Sequence, residues 1–438
     1  MTAPAFQHKP WWWELAEPQQ ADQPPPPRAD VAVVGSGYCG LNAALRLARA
    51  GLSVAVLDAE RPGWGASSRN GGMVSGGSKL PPTKDEGLDR DLLKDSVASF
   101  HYIEKLIADE ELTGAQYARK GRFIAAHSPK KYASLAAEVA RLRDKAGFDA
   151  ALVDPGDMEE ELDTPLHHGG MRVEDSGGLH PAGYHRALRR LVEAEGVTLH
   201  GGVRVTALTR AAGQHRLDYE TAAGGKGAIE ADKVVIATNG YSGPLRPWLR
   251  RRLIPLASYM VASAPIPPQT MARLMPKGRV YADTRRVLSY FRPSPDGERL
   301  LYGGRVSFRN IDAVQAAPAL WAIATELFPD LAGHPITHAW NGNVAFSFDF
   351  LPHLEYRDGV VMAAGCQGNG VAMMSYLGDR CAAKLLDPQA EATTFERTDF
   401  PTVPFYGGEP WFLPAVGSWY RLRDRMETGK RRDRRPAA

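Results

Sequence analysis

Three glycines in Gly35-Ser-Gly37-Tyr-Cys-Gly40, followed by Asp58 18 residues beyond the last of them, have the spacing of a phosphate-cradling turn and its acidic partner. Gly35 permits a tight turn, Gly37 lets the backbone approach a pyrophosphate, and Gly40 allows close helix packing. Asp58 is placed to accept hydrogen bonds from an adenosine ribose. These residues imply a dinucleotide cofactor without saying which. A second loop, Gly63-Trp-Gly-Ala66-Ser67-Ser68-Arg69-Asn70-Gly71-Gly72-Met73, is dense in small residues and hydrogen-bond donors. It would let the chain lie along a cofactor that extends well past its pyrophosphate, which favours FAD over a nicotinamide dinucleotide.

A third glycine-rich loop, Gly365-Cys-Gln-Gly368-Asn369-Gly370, precedes a helical run from Val371 to Leu385. If the loop holds the flavin ring, the helix N-terminus has the dipole sign that supports a reduced, anionic flavin. On the substrate side, Tyr259, Tyr290 and Trp340 are expected to form an aromatic wall that excludes water and holds an amine by its π-faces. Arg292 alternates with Tyr290 on an expected strand, so both would face one cavity, where Arg292 would hold a carboxylate, phosphonate or sulfonate. Arg305 is a weaker form of the same idea, and His180, in Leu-His-Pro, is either near the flavin or a capping histidine.

These groups need a frame. Val31 to Val34, the helical spacing of Leu41, Ala44, Leu45 and Ala48, and Ser53 to Leu57 read as strand, helix and strand, with Gly51 as helix stop. Strand-like runs separated by Pro and Gly turns fill Leu253 to Arg309, notably Ser258 to Ser263, Arg286 to Arg292 and Leu300 to Ser307. The expected class is α/β (α+β), a Rossmann-type FAD-binding domain with an inserted β-sheet substrate domain. Its expected division is an extended lead-in over 1–29, a discontinuous FAD-binding domain (30–105, 170–250 and 335–390), a substrate domain (106–169 and 251–334), and a C-terminal extension over 391–438 with a basic tail from Lys430 to Arg435. Trp11, Trp12 and Trp13 in the lead-in are expected to pack back on the body.

Composition narrows the partners. The 438 residues carry 53 basic and 50 acidic side chains, a formal net charge of +3, so the balance gives no argument for nucleic acid. Three cysteines (Cys39, Cys366, Cys381) without a CxxC pair or zinc spacing imply neither a disulfide framework nor a metal, and fit a reducing cytoplasm. No apolar run is long enough to span a bilayer. The oligomeric state is left open.

The quoted segments, with Ile254-Pro-Leu-Ala-Ser258-Tyr259, Tyr290-Phe-Arg292, Gly303-Gly304-Arg305, Trp340-Asn-Gly342 and Asp349-Phe-Leu-Pro352, resemble the D-amino-acid-oxidase-like superfamily of FAD oxidoreductases, and within it the gamma-glutamylputrescine oxidase group. The resemblance implies that Ser67, Ser68, Arg69 and Asn70 lie along the pyrophosphate, ribityl chain and flavin. It implies that Val205 offers backbone bonds to adenine, that Thr238 and Asn239 flank the cofactor, and that Gly342, Asp349, Gly368, Asn369, Gly370 and Val371 complete the isoalloxazine pocket. It further implies non-covalent FAD and oxidation of an amine or amino acid by hydride transfer to flavin N5. The imine formed would hydrolyse to an aldehyde or keto product, with O2 as acceptor. A dehydrogenase or a flavin-binding subunit passing electrons to a separate acceptor is the alternative; a nicotinamide dehydrogenase ranks below both.

Overall fold

The computed structural model describes residues 6–76, 80–211 and 213–427; the basic run from Lys430 to Arg435 lies outside them. The β-branched run of Arg28–Val34 is the middle of a parallel array, paired on one side with Lys226–Ile236 and on the other with Val54–Leu57. Val360–Ala364 and Thr198–His200 extend this array in parallel, and antiparallel His353–Arg357 closes one edge. Val31, Ala32 and Val33 are fully buried because both faces of the sheet are covered, one by helices and the other by the strands Val203–Ala211 and Gln214–Thr221. The helices Tyr38–Arg49 and Gly370–Leu386 pack together over one face. Gly40 shows why the turn requires glycine: a Cβ there would stand 1.9 Å from the Gly35 carbonyl oxygen.

A second sheet runs in the order Ile336–Phe346, Ile254–Ser263, Leu300–Gly304, Ser289–Pro293, Val280–Asp283, Arg122–Ala125, Gly170–Val173, Ala150–Val153. It departs from the expected division at two places. Gly170–Val173 pairs with Arg122–Ala125, and Ile336–Phe346 pairs with Ile254–Ser263 over ten positions, so both strands belong to this sheet rather than to the nucleotide-binding unit. The strand expected over Arg286 to Arg292 starts only at Ser289, because Asp424 takes the backbone N–H groups of Arg286 (3.1 Å) and Val287 (2.8 Å) that a ladder would need. Asp424 belongs to the helix Leu413–Glu427, which docks on this sheet and also pairs Glu427 with Arg286.

The lead-in is not simply extended. Trp13–Ala16 is a helical turn, and Trp12 and Trp13 are buried against Trp340, Met260 and Ala182, where the two sheets meet. No helix among the described residues is long and apolar enough to cross a membrane.

Candidate active site

A groove of about 510 Å³ opens over the carboxyl ends of the parallel strands, lined by Gly35, Gly37, Asp58, Glu60, Ala66, Ser67, Val205, Thr238 and Asn239 among others. The helix Tyr38–Arg49 begins here with Gly37 as N-cap, so no side chain caps it and no acid sits in its first turn. Its positive end is left for an anion. Asp58 shapes the turn: Oδ2 accepts from the Ser36 N–H at 2.8 Å and its hydroxyl at 2.5 Å, and Oδ1 accepts from the Glu60 N–H at 3.0 Å. Burial pushes its carboxyl above the ordinary value against these bonds. Ser67 Oγ accepts from the Tyr38 N–H at 3.0 Å and so ties the second loop to the helix start.

That second loop is held from behind by three indoles. Trp13 Nε1 donates to Ser68 Oγ (2.8 Å), Trp340 Nε1 to the Arg69 carbonyl (2.7 Å) and Trp12 Nε1 to the Asn70 carbonyl (2.9 Å). The Arg69 guanidinium lies over the Trp13 and Trp64 rings, 4.7 and 4.3 Å from their centroids, and gives Nε to the Trp64 carbonyl. Gly72, at φ +67, turns the chain so tightly that a Cβ would stand 2.1 Å from the Leu179 carbonyl oxygen.

Between this loop, the second sheet and the N-terminus of Gly370–Leu386 lies a cavity that shares Tyr38, Ala66, Ser67, Asn239, Asn343 and Met374 with the groove. Arg69, Asn70, Gly71, Met73, Gly342, Gly368, Gly370 and Val371 line it. The sheet contributes Ser258 and Tyr290, whose hydroxyls are 2.9 Å apart, together with Ala282, Arg122 and Phe346. Arg122 and Arg305 on this wall are both lowered to about 10 by burial, and both stay cationic at neutral pH. The lining thus holds three arginines and, among the described residues, no Asp, Glu, Lys or His. The helix Gly370–Leu386 has neither a side-chain cap nor an acid in its first turn.

Several expected residues support the lining rather than form it. Asn369 bridges to Ser75, accepting from its hydroxyl and donating to its carbonyl (3.0 and 2.8 Å). Gly365 gives its N–H to Asn239 Oδ1 at 3.1 Å, and Asp349 pairs with His353 Nε2 at 3.1 Å; burial pushes the Asp349 carboxyl up, and the His353 pairing with its other hydrogen bonds outweighs this and holds it below the ordinary value. Ser68, Gly40 and Gly72 likewise pack behind the surface.

On the substrate side, Tyr290 and Arg305 are the expected residues that line the cavity. Tyr259 points to the opposite face of its strand, into the sheet's own core, with its hydroxyl on the Ile311 N–H at 3.0 Å; Ser258 and Met260 face the other way. Trp340 is buried behind the Arg69 carbonyl. Arg292 does share a face with Tyr290, but its guanidinium donates to the Gly72, Leu179 and Pro293 carbonyls at 3.0, 2.9 and 3.1 Å and lies outside the cavity. His180 is a capping histidine: Nδ1 accepts from the Gly183 N–H at 2.9 Å, and burial drives its pKa down to about 4. Arg122, Phe346 and Met374 were not expected here. The alternation of Arg122 with Ile124 on one strand was the available signal for the first of them.

The groove and cavity fit FAD from end to end: uncapped helix ends for negative charge, glycines where a Cβ would collide, and a slot without carboxylates among the described residues. Fold and site together define a flavin-dependent oxidoreductase. The chain matches the DAO family, FAD dependent oxidoreductase, over residues 30–384, and it belongs to that family. It is 30% identical over 427 residues to the probable oxidoreductase OrdL of Rhizobium meliloti (strain 1021), covering 95% of this chain and 97% of that protein. It is 29% identical over 407 residues to gamma-glutamylputrescine oxidoreductase of Escherichia coli (strain K12), covering 91% and 93%. Among solved structures, glycine oxidase from Geobacillus kaustophilus superposes with a TM-score of 0.72 at 22% identity, covering 87% of this chain and all of that one, which speaks to the fold.

Proposed function

We propose that this protein oxidises the carbon–nitrogen bond of a small-molecule amine or amino acid, with O2 as electron acceptor. The relatives fit this reading, but the observation that carries it is the charge of the cavity. Three guanidinium groups and no acid raise the free energy of an ammonium ion there, so the neutral amine, the oxidisable form, is favoured. Bound FAD supplies the two-electron acceptor for the C–H bond next to that amine. The chain does the rest. Tyr290 and Ser258 present a hydroxyl pair to orient the amine, and the strands behind them exclude water. Two electrons and two protons leave the substrate, and the resulting imine takes up water to give an aldehyde or keto product plus ammonia or amine. O2 receives the electrons and protons as H2O2.

The cofactor is held non-covalently in this reading, since Cys366, the cysteine in the cavity lining, has its sulfur engaged by Asn239 Nδ2 at 3.3 Å. A cytoplasmic location is part of it, in keeping with the three free, buried cysteines. The test is anaerobic titration of the yellow holoenzyme with a panel of amines. Bleaching of the flavin bands by at least one amine, reversed on admitting air with release of H2O2, is the expected result. Bleaching that only an artificial acceptor reverses would make the protein a dehydrogenase, and no bleaching by any amine would overturn the reading.

A further inference from the structure

The exposed apolar surface of this protein is concentrated near its C-terminal end. Of the eleven large apolar side chains that stand out in solvent among the described residues, six lie between Val403 and Met426, so they belong to one segment rather than being scattered. The helix Leu413–Glu427 orders part of this surface. Its inner face, with Leu413, Gly417 and Asp424 buried, sits on Phe308 and on residues 286 and 287. Ala415, Trp419, Leu422 and Met426 follow one another at helical spacings of four, three and four residues, which places them in a single stripe on the outer face. Trp419 is 55%, Leu422 50% and Met426 72% exposed, and Trp411, just before the helix, is 74% exposed. The helix is therefore apolar on two sides, and only one of them is covered.

The charge around the stripe has one sign. Arg421 and Arg425 run along one flank and Arg423 along the other, its guanidinium 5.6 Å from the centroid of the Trp419 ring. Both acids of the helix are engaged, Asp424 by Arg286 and the backbone of residues 286 and 287, Glu427 by Arg286 and Arg423. Three residues past the helix the sequence reaches Lys430 to Arg435, with five basic side chains and one acid.

Neither the rest of this chain nor a second copy suits the stripe. Residues 1–5, 77–79, 212 and 428–438, which lie outside the described ones, bring a single large apolar side chain, Met1, to lay over it. Two copies meeting through this face would set arginine against arginine and basic run against basic run.

We propose that the outer face of Leu413–Glu427 is a docking surface for a membrane rich in anionic lipid, on which the protein rests without spanning it. The stripe of Trp, Leu and Met enters the boundary between headgroups and acyl chains, the flanking arginines reach the lipid phosphates, and the basic run adds attraction from a distance. A lipid surface supplies both chemistries in one plane. No turnover is involved, so the proposal stands or falls apart from the amine-oxidising reading.

The experiment floats full-length holoenzyme with vesicles of phosphatidylcholine alone, or of phosphatidylcholine and phosphatidylglycerol in equal parts. Wild type should rise with the anionic vesicles, stay behind with the neutral ones, and be released by high salt. Arg421→Gln with Arg425→Gln should weaken binding about 25-fold, at about fivefold for each charge. Trp419→Ser with Met426→Ser should weaken it by about tenfold or more. Both double variants should keep the wild-type Tm and flavin spectrum, because the replaced side chains face solvent. Wild type that fails to rise with anionic vesicles, or that binds both kinds equally, overturns the proposal. Binding that survives the Trp419→Ser, Met426→Ser change overturns it as well, since the contact would then lie off this helix. A concentration-dependent dimer that the same change dissolves, without vesicle binding, would assign the face to a second copy instead.

Discussion

Replacing Trp12 by Phe tests whether the indoles behind the cofactor loop control how long FAD stays bound. Trp12 is completely buried, and its Nε1 is the donor to the Asn70 carbonyl at 2.9 Å. Phenylalanine keeps an aromatic ring but removes the donor, which leaves a buried carbonyl unsatisfied at about 1–3 kcal/mol. The smaller ring adds roughly 1 kcal/mol for the space it vacates. If about 2 kcal/mol of this falls on local opening of residues 66–73, FAD release accelerates about 30-fold, at 1.4 kcal/mol per factor of ten. The assay is the rise of FAD fluorescence after dilution of holoenzyme, run beside thermal unfolding. Trp13→Phe is the internal comparison: its acceptor is the Ser68 hydroxyl, which can rotate to another partner, so the effect should be smaller. A Trp12→Phe protein that melts earlier yet releases FAD at the wild-type rate would refute the argument, since the indole would then support only the global fold.

Acid should destabilise the protein in a defined window. Burial holds His180 and His185 near pKa 4, well below the ordinary histidine value, so both are neutral when folded and take up protons on unfolding. Their contribution is complete above about pH 6.5 and is lost as pH falls toward 4, on the order of 3 kcal/mol each. His185→Gln, which can keep a donor on the Ser36 carbonyl, should flatten the fall of Tm with pH by one proton; an unflattened curve would count against the assignment. Tyr259→Phe should lower stability by about 1 kcal/mol through the orphaned Ile311 N–H, yet leave the visible spectrum of bound FAD unchanged. Tyr290→Phe should shift that spectrum, and equal shifts in the two variants would contradict the strand phase described above.

The groove over the glycine turn was legible because its requirements are local. A turn that needs glycine at Gly35, Gly37 and Gly40, and an acid at the end of the next strand, are separated by few residues and governed by backbone sterics. The cavity wall on the second sheet was not, for a reason visible at Tyr259. Residue type marks an aromatic on a strand, but the face it takes depends on which neighbouring sheet covers it, and one step of phase exchanges core for cavity. Arg292 shows a second limit. Its alternation with Tyr290 was read correctly, yet 220 residues separate it from the Gly72 carbonyl that captures it. The C-terminal helix took the first residues of an expected strand in the same manner, through Asp424.

That helix has a bearing on the order in which the molecule comes together. Asp424 pins residues 286 and 287, and Leu288 beside them is part of the cavity wall, while from the other side Trp12 and Trp13 brace the cofactor loop. The glycine turn and the strands Arg28–Val34, Val54–Leu57, Thr198–His200 and Lys226–Ile236 all precede residue 237 and would take up the nucleotide half of FAD in the proposed binding mode, but the cavity proposed for its ring has no finished wall until residues 413–427 have emerged and docked. Assembly is therefore expected to run from the phosphate end toward the flavin ring, and disassembly to run the other way, with the ring exposed to water while the adenosine half is still gripped.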